Sequence, residues 1–162
     1  MATSMQQPLV VSAASSIISR QTVEDLQRVM AEMPQAPAMD TQHFFAGGMY
    51  CRRIEIPAGN VIVSKVHKTE HLLVGCCGAL LVAGQGETYT LEPGQIVPSP
   101  VGTQRVVVAL TDVVVLTIHR TDTTSVEKLE AELVEDGFSL YDVNNAPKLG
   151  VVVAKYGGGR LL

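Results

Sequence analysis

The sequence predicts a mainly β protein, a single antiparallel barrel or sandwich with a short helix on either side and an extended arm at each end. Three observations carry this. Between Phe44 and His119, short runs rich in β-branched residues are broken by turn residues about every 8 to 12 positions, the spacing of small all-β folds. No long amphipathic helix interrupts those runs, which argues against parallel α/β architectures. Hydrophobic residues make up 46% and charged ones 17%, so the chain buries a core, and with no tryptophan that core falls to Val, Leu, Ile and Ala.

Residues 1–43 form an N-terminal unit of arm, helix and linker. The arm, MATSMQQPLVVSAASSIISR, is Ser/Ala-rich with apolar patches and lacks the positive start of a secretion signal, so it is read as part of the working protein. TVEDLQRVMAEM reads as a helix capped by Thr22, with Glu24 and Asp25 in its positive first turn and Val23, Leu26, Met30 and Met33 on one face. Pro34 ends it, PQAPAMD is a linker, and His43 is expected in a loop without a partner.

Residues 44–120 form the barrel. YCRRIEI is followed by the turn PAG, NVIVSKVH by a polar corner, ALLVAG by GQG, and ETYTLE by PG. QIVPS, the loop PVGT, QRVVVAL, a turn at Thr111–Asp112 and VVVLTIH complete the strands. Residues 121–162 form a C-terminal unit of helix and β-prone tail. TSVEKLEAELVED reads as a helix with a Thr124/Glu127 capping box, an apolar stripe of Val126, Leu129 and Leu133, and a solvated acidic face. The tail regains β character at GVVVAK, which suits addition to a sheet edge of its own or of a neighbour.

Composition excludes several functions. The net charge is −4 without a dense basic patch, so nucleic acid is not expected as a partner. No apolar run approaches the roughly 20 residues that span a bilayer, and no membrane partner is expected. The three cysteines include an adjacent pair whose disulfide ring would be strained, and no CxxC motif exists, so they are read as small hydrophobes in a reducing compartment. Ser99 lacks a nucleophile-elbow context, and neither GQG nor GGG precedes a helix that would make it a phosphate cradle.

The chemistry concentrates in KVHKTEHLLVGCCG, Lys65 to Gly78. Along an unbroken strand Val61, Val63, Lys65, His67, Thr69 and His71 share one face, and on the last strand Val113, Val115, Thr117 and His119 share another. If both faces point inward, His67, His71 and His119 converge near Arg105.

This segment, with Gly59 before it, resembles the first motif of the cupin superfamily, and EPGQIVPSPVGTQR resembles the second. The resemblance implies a jelly-roll barrel over about Tyr50 to Arg120. In the first motif His67 falls on the second histidine position, His71 on the glutamate position and Gly78 on the glycine, while Lys65 replaces the first histidine. In the second, Gly94, Pro100 and Gly102 match, and Arg105 stands in the histidine position. KVHKTEH, SPVGTQRV and TIHRTD together are similar to small cupin-like proteins of tailed bacteriophages.

Arginine cannot ligate a metal, and a lysine beside it adds a second positive charge, so no cofactor is expected; a divalent transition metal on His67, His71 and His119 is the alternative. The leading expectation is a non-enzymatic structural or interaction module of a phage virion or accessory assembly. It would be a homo-oligomer joined through its arms, made in the host cytoplasm and carried into the virion. The other readings are a metal-dependent or acid–base cupin enzyme using His67, His71, His119 and Arg105, and a binder of a small anion or sugar through Lys65, His67, Arg105 and His119. In the bland version the polar residues pair internally, Lys68 or Arg120 with Glu70, and Arg105 with backbone carbonyls, Asp112 or Asp122.

Overall fold

The computed structural model describes residues 20–31, 39–84 and 88–135. Residues 1–19 of the N-terminal arm, Met33 with most of the linker, residues 85–87 after Gly84 of the GQG turn, and the β-prone tail lie outside the described residues. No described helix is long and apolar enough to cross a membrane.

Helix α1 (Arg20–Ala31) forms where the sequence places it, and Val23 and Met30 enter the main core. It begins two residues ahead of Thr22, which therefore sits in the first turn rather than at the cap. The strands follow as β1 (Thr41–Ala46), β2 (Met49–Ile56), β3 (Val61–Val63), β4 (His71–Cys77), β5 (Leu80–Gly84), β6 (Thr88–Leu91), β7 (Ile96–Ser99), β8 (Arg105–Ala109) and β9 (Val113–Arg120). Helix α2 (Val126–Leu133) closes the described chain.

The pairing is nested. β2 runs antiparallel to β9, β3 to β8, β4 to β7, and β5 to β6, as if one long hairpin had been rolled up. Rolling gives two sheets, in the orders β1-β2-β9-β4-β7 and β3-β8-β5-β6. This is a jelly roll, the arrangement that the motif spacing implies. Its inner faces interdigitate through Ile54, Ile56, Val63, Leu73, Leu80, Val82, Leu91, Val106, Val113 and Val115.

Three local expectations are corrected. TQHFFA is a strand, not a loop, because pairing with β2 satisfies its backbone while alternate residues stay exposed. The segment 61–71 is not one strand: pairing stops at Val63, resumes as a single bridge at His67, and restarts at His71. HLLVGCC then forms a central strand of its own, with a β-bulge between Gly75 and Cys77. At α2 the N-cap is Ser125, which makes no side-chain cap bond to the backbone; its hydroxyl donates to Glu127 Oε2 at 2.6 Å, so the Thr124/Glu127 box does not form.

Two glycines are required by shape. Gly78 turns the chain out of β4 at φ +72, and a Cβ there would lie 2.0 Å from the Asp112 carbonyl oxygen. A Cβ on Gly75 would lie 2.3 Å from the Glu92 carbonyl oxygen, so the turn after β6 closes against bare backbone.

Candidate functional site

Register builds the site. Tyr50 on β2 stands opposite His119 on β9, His119 opposite His71 on β4, and His71 opposite Ser99 on β7. All four side chains are buried on the inner face of one sheet. His67 arrives from the broken edge of the other sheet, held where its backbone N–H donates to Thr103 O at 3.0 Å. The three imidazoles meet there, with ring centroids 4.1 Å apart for His67–His71, 4.7 Å for His71–His119 and 5.6 Å for His67–His119. One ligand atom from each lies within 4.8 Å of the others. The shared-face reading of His67 and His71 leads to the observed cluster, although the strand between them is interrupted.

Electrostatics keep these rings neutral. Burial, then the neighbouring His71, holds His67 at about 3. Burial, with His71 and His67 beside it, holds His119 at about 3, and burial with Arg105 nearby holds His71 at about 4. Neutral imidazole is the form that ligates or accepts a hydrogen bond. Two of the rings are oriented by backbone carbonyls. His67 Nδ1 lies 3.2 Å from Thr103 O and His71 Nδ1 lies 3.5 Å from Thr69 O, contacts that Nδ1–H donation satisfies and that leave each Nε2 as the acceptor. His119 Nδ1 is buried without a hydrogen-bond partner.

The cations behave differently from expectation. Arg105 donates from Nη2 to Ser99 Oγ at 2.7 Å and approaches His71 Nε2 with Nη1 at 3.5 Å; neither Asp112 nor Asp122 holds it. Lys65 does line the cavity, but its Nζ is ion-paired to Glu130 Oε1 on α2, so its charge is balanced locally. Lys68 donates to the Ala131 carbonyl at 2.7 Å and Arg120 pairs with Asp122 at 3.4 Å, rather than either pairing with Glu70.

Four contributors were missed. Arg52 lines the cavity, and the alternation Tyr50, Arg52, Ile54, Ile56 was the signal that turned it inward. Tyr50, its hydroxyl pushed up to about 12 by burial, stacks on His119 at 6.0 Å and hydrogen-bonds His43 Nδ1 at 2.8 Å, so His43 has a partner after all. The acidic side of α2 is not simply solvated: Glu130 takes Lys65, and Glu132 accepts from the Thr121 hydroxyl at 2.5 Å.

Helix α2 roofs this end of the barrel. Leu129 and Leu133 pack on Tyr50, and the backbone N–H groups of Lys68 and Glu135 donate to Leu133 O and Val66 O at 2.8 and 2.9 Å. Beneath lies a cavity of about 170 Å³, polar at the histidine end and lined deeper by Ile54, Ile56, Leu73, Leu80 and Val115. That is smaller than the roughly 300–1,000 Å³ of pockets for drug-sized ligands, which favours an ion or an acid of a few carbons.

No protein-family model matches the sequence, and no curated protein matches it. Solved structures do. The chain is similar to a cupin superfamily protein of Desulfitobacterium hafniense, at 11% identity and TM-score 0.47, over 56% of this chain and 84% of that one. It is also similar to KdgF of Halomonas sp., at 19% identity and TM-score 0.49, over 57% and 86%. Likeness to salicylate 1,2-dioxygenase of Pseudoaminobacter salicylatoxidans covers 60% of this chain and 30% of that enzyme, at 16% identity and TM-score 0.47. The nested strand order of the chain itself, rather than these likenesses, carries the jelly-roll fold.

Proposed function

We propose that this chain binds a first-row divalent metal through His67, His71 and His119, together with a small carboxylate-type anion held by Arg105. The observation that carries it is the convergence of three buried imidazoles in one cavity. The residues fit such an ion: two rings are oriented by backbone carbonyls with Nε2 directed to accept, and the orphaned Nδ1 of His119 is the kind of atom that folding leaves bare at a cost of about 1–3 kcal/mol unless a ligand meets it. When bound, such a metal supplies Lewis acidity or an acidified water.

Charge explains why an anion belongs beside it. Lys65 is balanced by Glu130, while Arg105 lines the cavity with its guanidinium on the Ser99 hydroxyl and beside His71, and a carboxylate offsets both this guanidinium's field and that of the metal. Arg105 presents a planar fork suited to two-point contact with a carboxylate, and Ser99 fixes its direction. Apolar side chains line the far side of the cavity, and Leu129, Glu130 and Leu133 of α2 cover part of its mouth.

Elemental analysis and calorimetric titration with Zn²⁺ test the metal. One equivalent per chain is expected, and His67→Ala or His119→Ala should weaken it by about 100-fold or more, since loss of even an outer-sphere partner costs roughly 10–100-fold. Arg105→Gln should leave metal binding intact and weaken small carboxylates. Absence of bound metal in the wild type, before and after titration, sinks the metal reading.

A second reading has a specific observation behind it. Arg105 Nη1 aims at His71 Nε2, and Lys65–Glu130 ties the roof down, which supports a polar plug in a non-catalytic assembly module. In the phage setting that the motif resemblance suggests, such a module would be a virion or accessory component. Full thermal stability with no metal and no small-molecule ligand supports it over the first reading.

A further inference from the structure

We infer that the outer face of the five-stranded sheet is the interface for a second copy of this chain. Across that face the register aligns Phe44, Cys51, Ile118, Leu72 and Pro98, one residue from each strand in the order β1-β2-β9-β4-β7. The next row runs Gln42, Arg53, Leu116, Val74 and Ile96. Met49 and Ala46 extend the apolar surface at the β1–β2 corner, and Arg120, paired with Asp122 at 3.4 Å, closes that end beside Met49. Phe44 is 51% exposed, Met49 53%, Ile96 59% and Leu72 38%, so these are large apolar side chains left in water by a single chain. The cation within the two rows, Arg53, is paired with Glu55 at 2.6 Å. Isolated apolar residues on a surface need no explanation, but two aligned rows across a whole sheet do.

The occupant follows from the shape. Five strands spaced about 4.8 Å apart make a face roughly 24 Å wide, and four of them, six to eight residues long, make it a little over 20 Å tall, with β7 shorter at four residues. Two such faces in contact bury on the order of 1,000–1,200 Å², which reaches the lower range of specific interfaces. One extended terminal segment laid on this surface would cover a stripe roughly 5–10 Å wide, less than half of it. A second sheet covers it entirely, by the aligned packing at about 10 Å that joins sheets in sandwiches. A nearly uniform apolar row is also its own complement, as a two-fold interface requires.

Sedimentation of the full chain at micromolar concentrations tests this. The expected mass is two chains of 17.3 kDa. Combining Phe44→Lys with Ile96→Lys should weaken self-association by about 30-fold or more, as for loss of a hot spot, and leave one chain. Val101→Lys, at a position 63% exposed off these rows, should leave the dimer intact. If the lysine protein fails to fold, Phe44→Ser with Ile96→Ser takes its place, since both positions are more than half exposed in one chain. A single-chain mass for the wild type overturns the proposal. So does a dimer that survives the double substitution, which would place association elsewhere, the terminal segments included.

Discussion

The inner and outer faces of the five-stranded sheet are written by alternate residues of the same strands, and at one end of the sheet they invert the usual rule. Tyr50, His119, His71 and Ser99 put polar groups inside, while Cys51, Ile118, Leu72 and Pro98, each one step along, put apolar groups outside. The inner row is tolerated because its groups are neutral or hydrogen-bonded: His71 leans on the Thr69 carbonyl, the Tyr50 hydroxyl meets His43 Nδ1, and Ser99 takes the guanidinium of Arg105. The outer row carries a standing cost in water of about 25 cal/mol per Å². Apart from the bare Nδ1 of His119, the polarity of this inner row is settled within the chain, whereas exposed apolarity points beyond it.

The comparison can be broken by truncating one residue on each face. Ile54→Ala, on the packed inner face, should cost about 2–5 kcal/mol in chemical denaturation, and Leu72→Ala, at the outer face, under about 1 kcal/mol in the monomer. Equal losses would mean the outer face is already core. A smaller effect is expected at the roof, where Lys65 and Glu130 sit with only 13% and 20% of their side chains exposed. Glu130→Gln should destabilise by about 1–3 kcal/mol, less than a fully buried broken pair, and Lys65→Met with Glu130→Leu should recover most of it. No recovery would show that the pair does more than satisfy itself.

Acid sharpens the contrast further. Because His67, His71 and His119 have folded values depressed below their unfolded 6.5, the unfolded chain binds more protons between about 3 and 6.5. Stability is therefore full above 6.5 and falls as pH drops toward 4, by up to about 1.4 kcal/mol per pH unit for each ring. Thermal melts should show it, and His119→Phe should flatten the slope; a melting temperature unchanged from pH 7 to 4.5 refutes neutral burial. A small effect is expected at Ser99→Ala, which leaves one guanidinium bond unmade and should cost about 1 kcal/mol, with weaker carboxylate binding as its second signature.

Much of this was legible in the residues. The β-branched runs between turns marked most strands, and the expected meeting of His67, His71 and His119 occurs, although the unbroken strand from which it was argued does not form: His67 reaches the cluster from an isolated bridge between β3 and β4. What escaped depended on partners far along the chain. TQHFFA looks too polar for a strand until β2 lies beside it. In Arg52–Arg53 two identical residues point opposite ways, and only the burial of Tyr50 and Ile54 says which turns inward. Glu130 belongs to an ordinary acidic helix face, and its pairing with Lys65 spans 65 residues of sequence, a distance no local pattern encodes. That pairing removes one of the two charges on which the case against a metal rested.

The bulge at Gly75–Cys77 has a consequence for descent. Before it, β4 holds His71 in step with both His119 and Ser99; beyond it, the register has already slipped. A residue gained or lost past the bulge alters only the exit toward Gly78, but one gained or lost ahead of it would swing the imidazole to the outside. A change of length in β4 is therefore expected to cost the site more ahead of that irregularity than past it, where the shape-fixed Gly78 sets the limit instead.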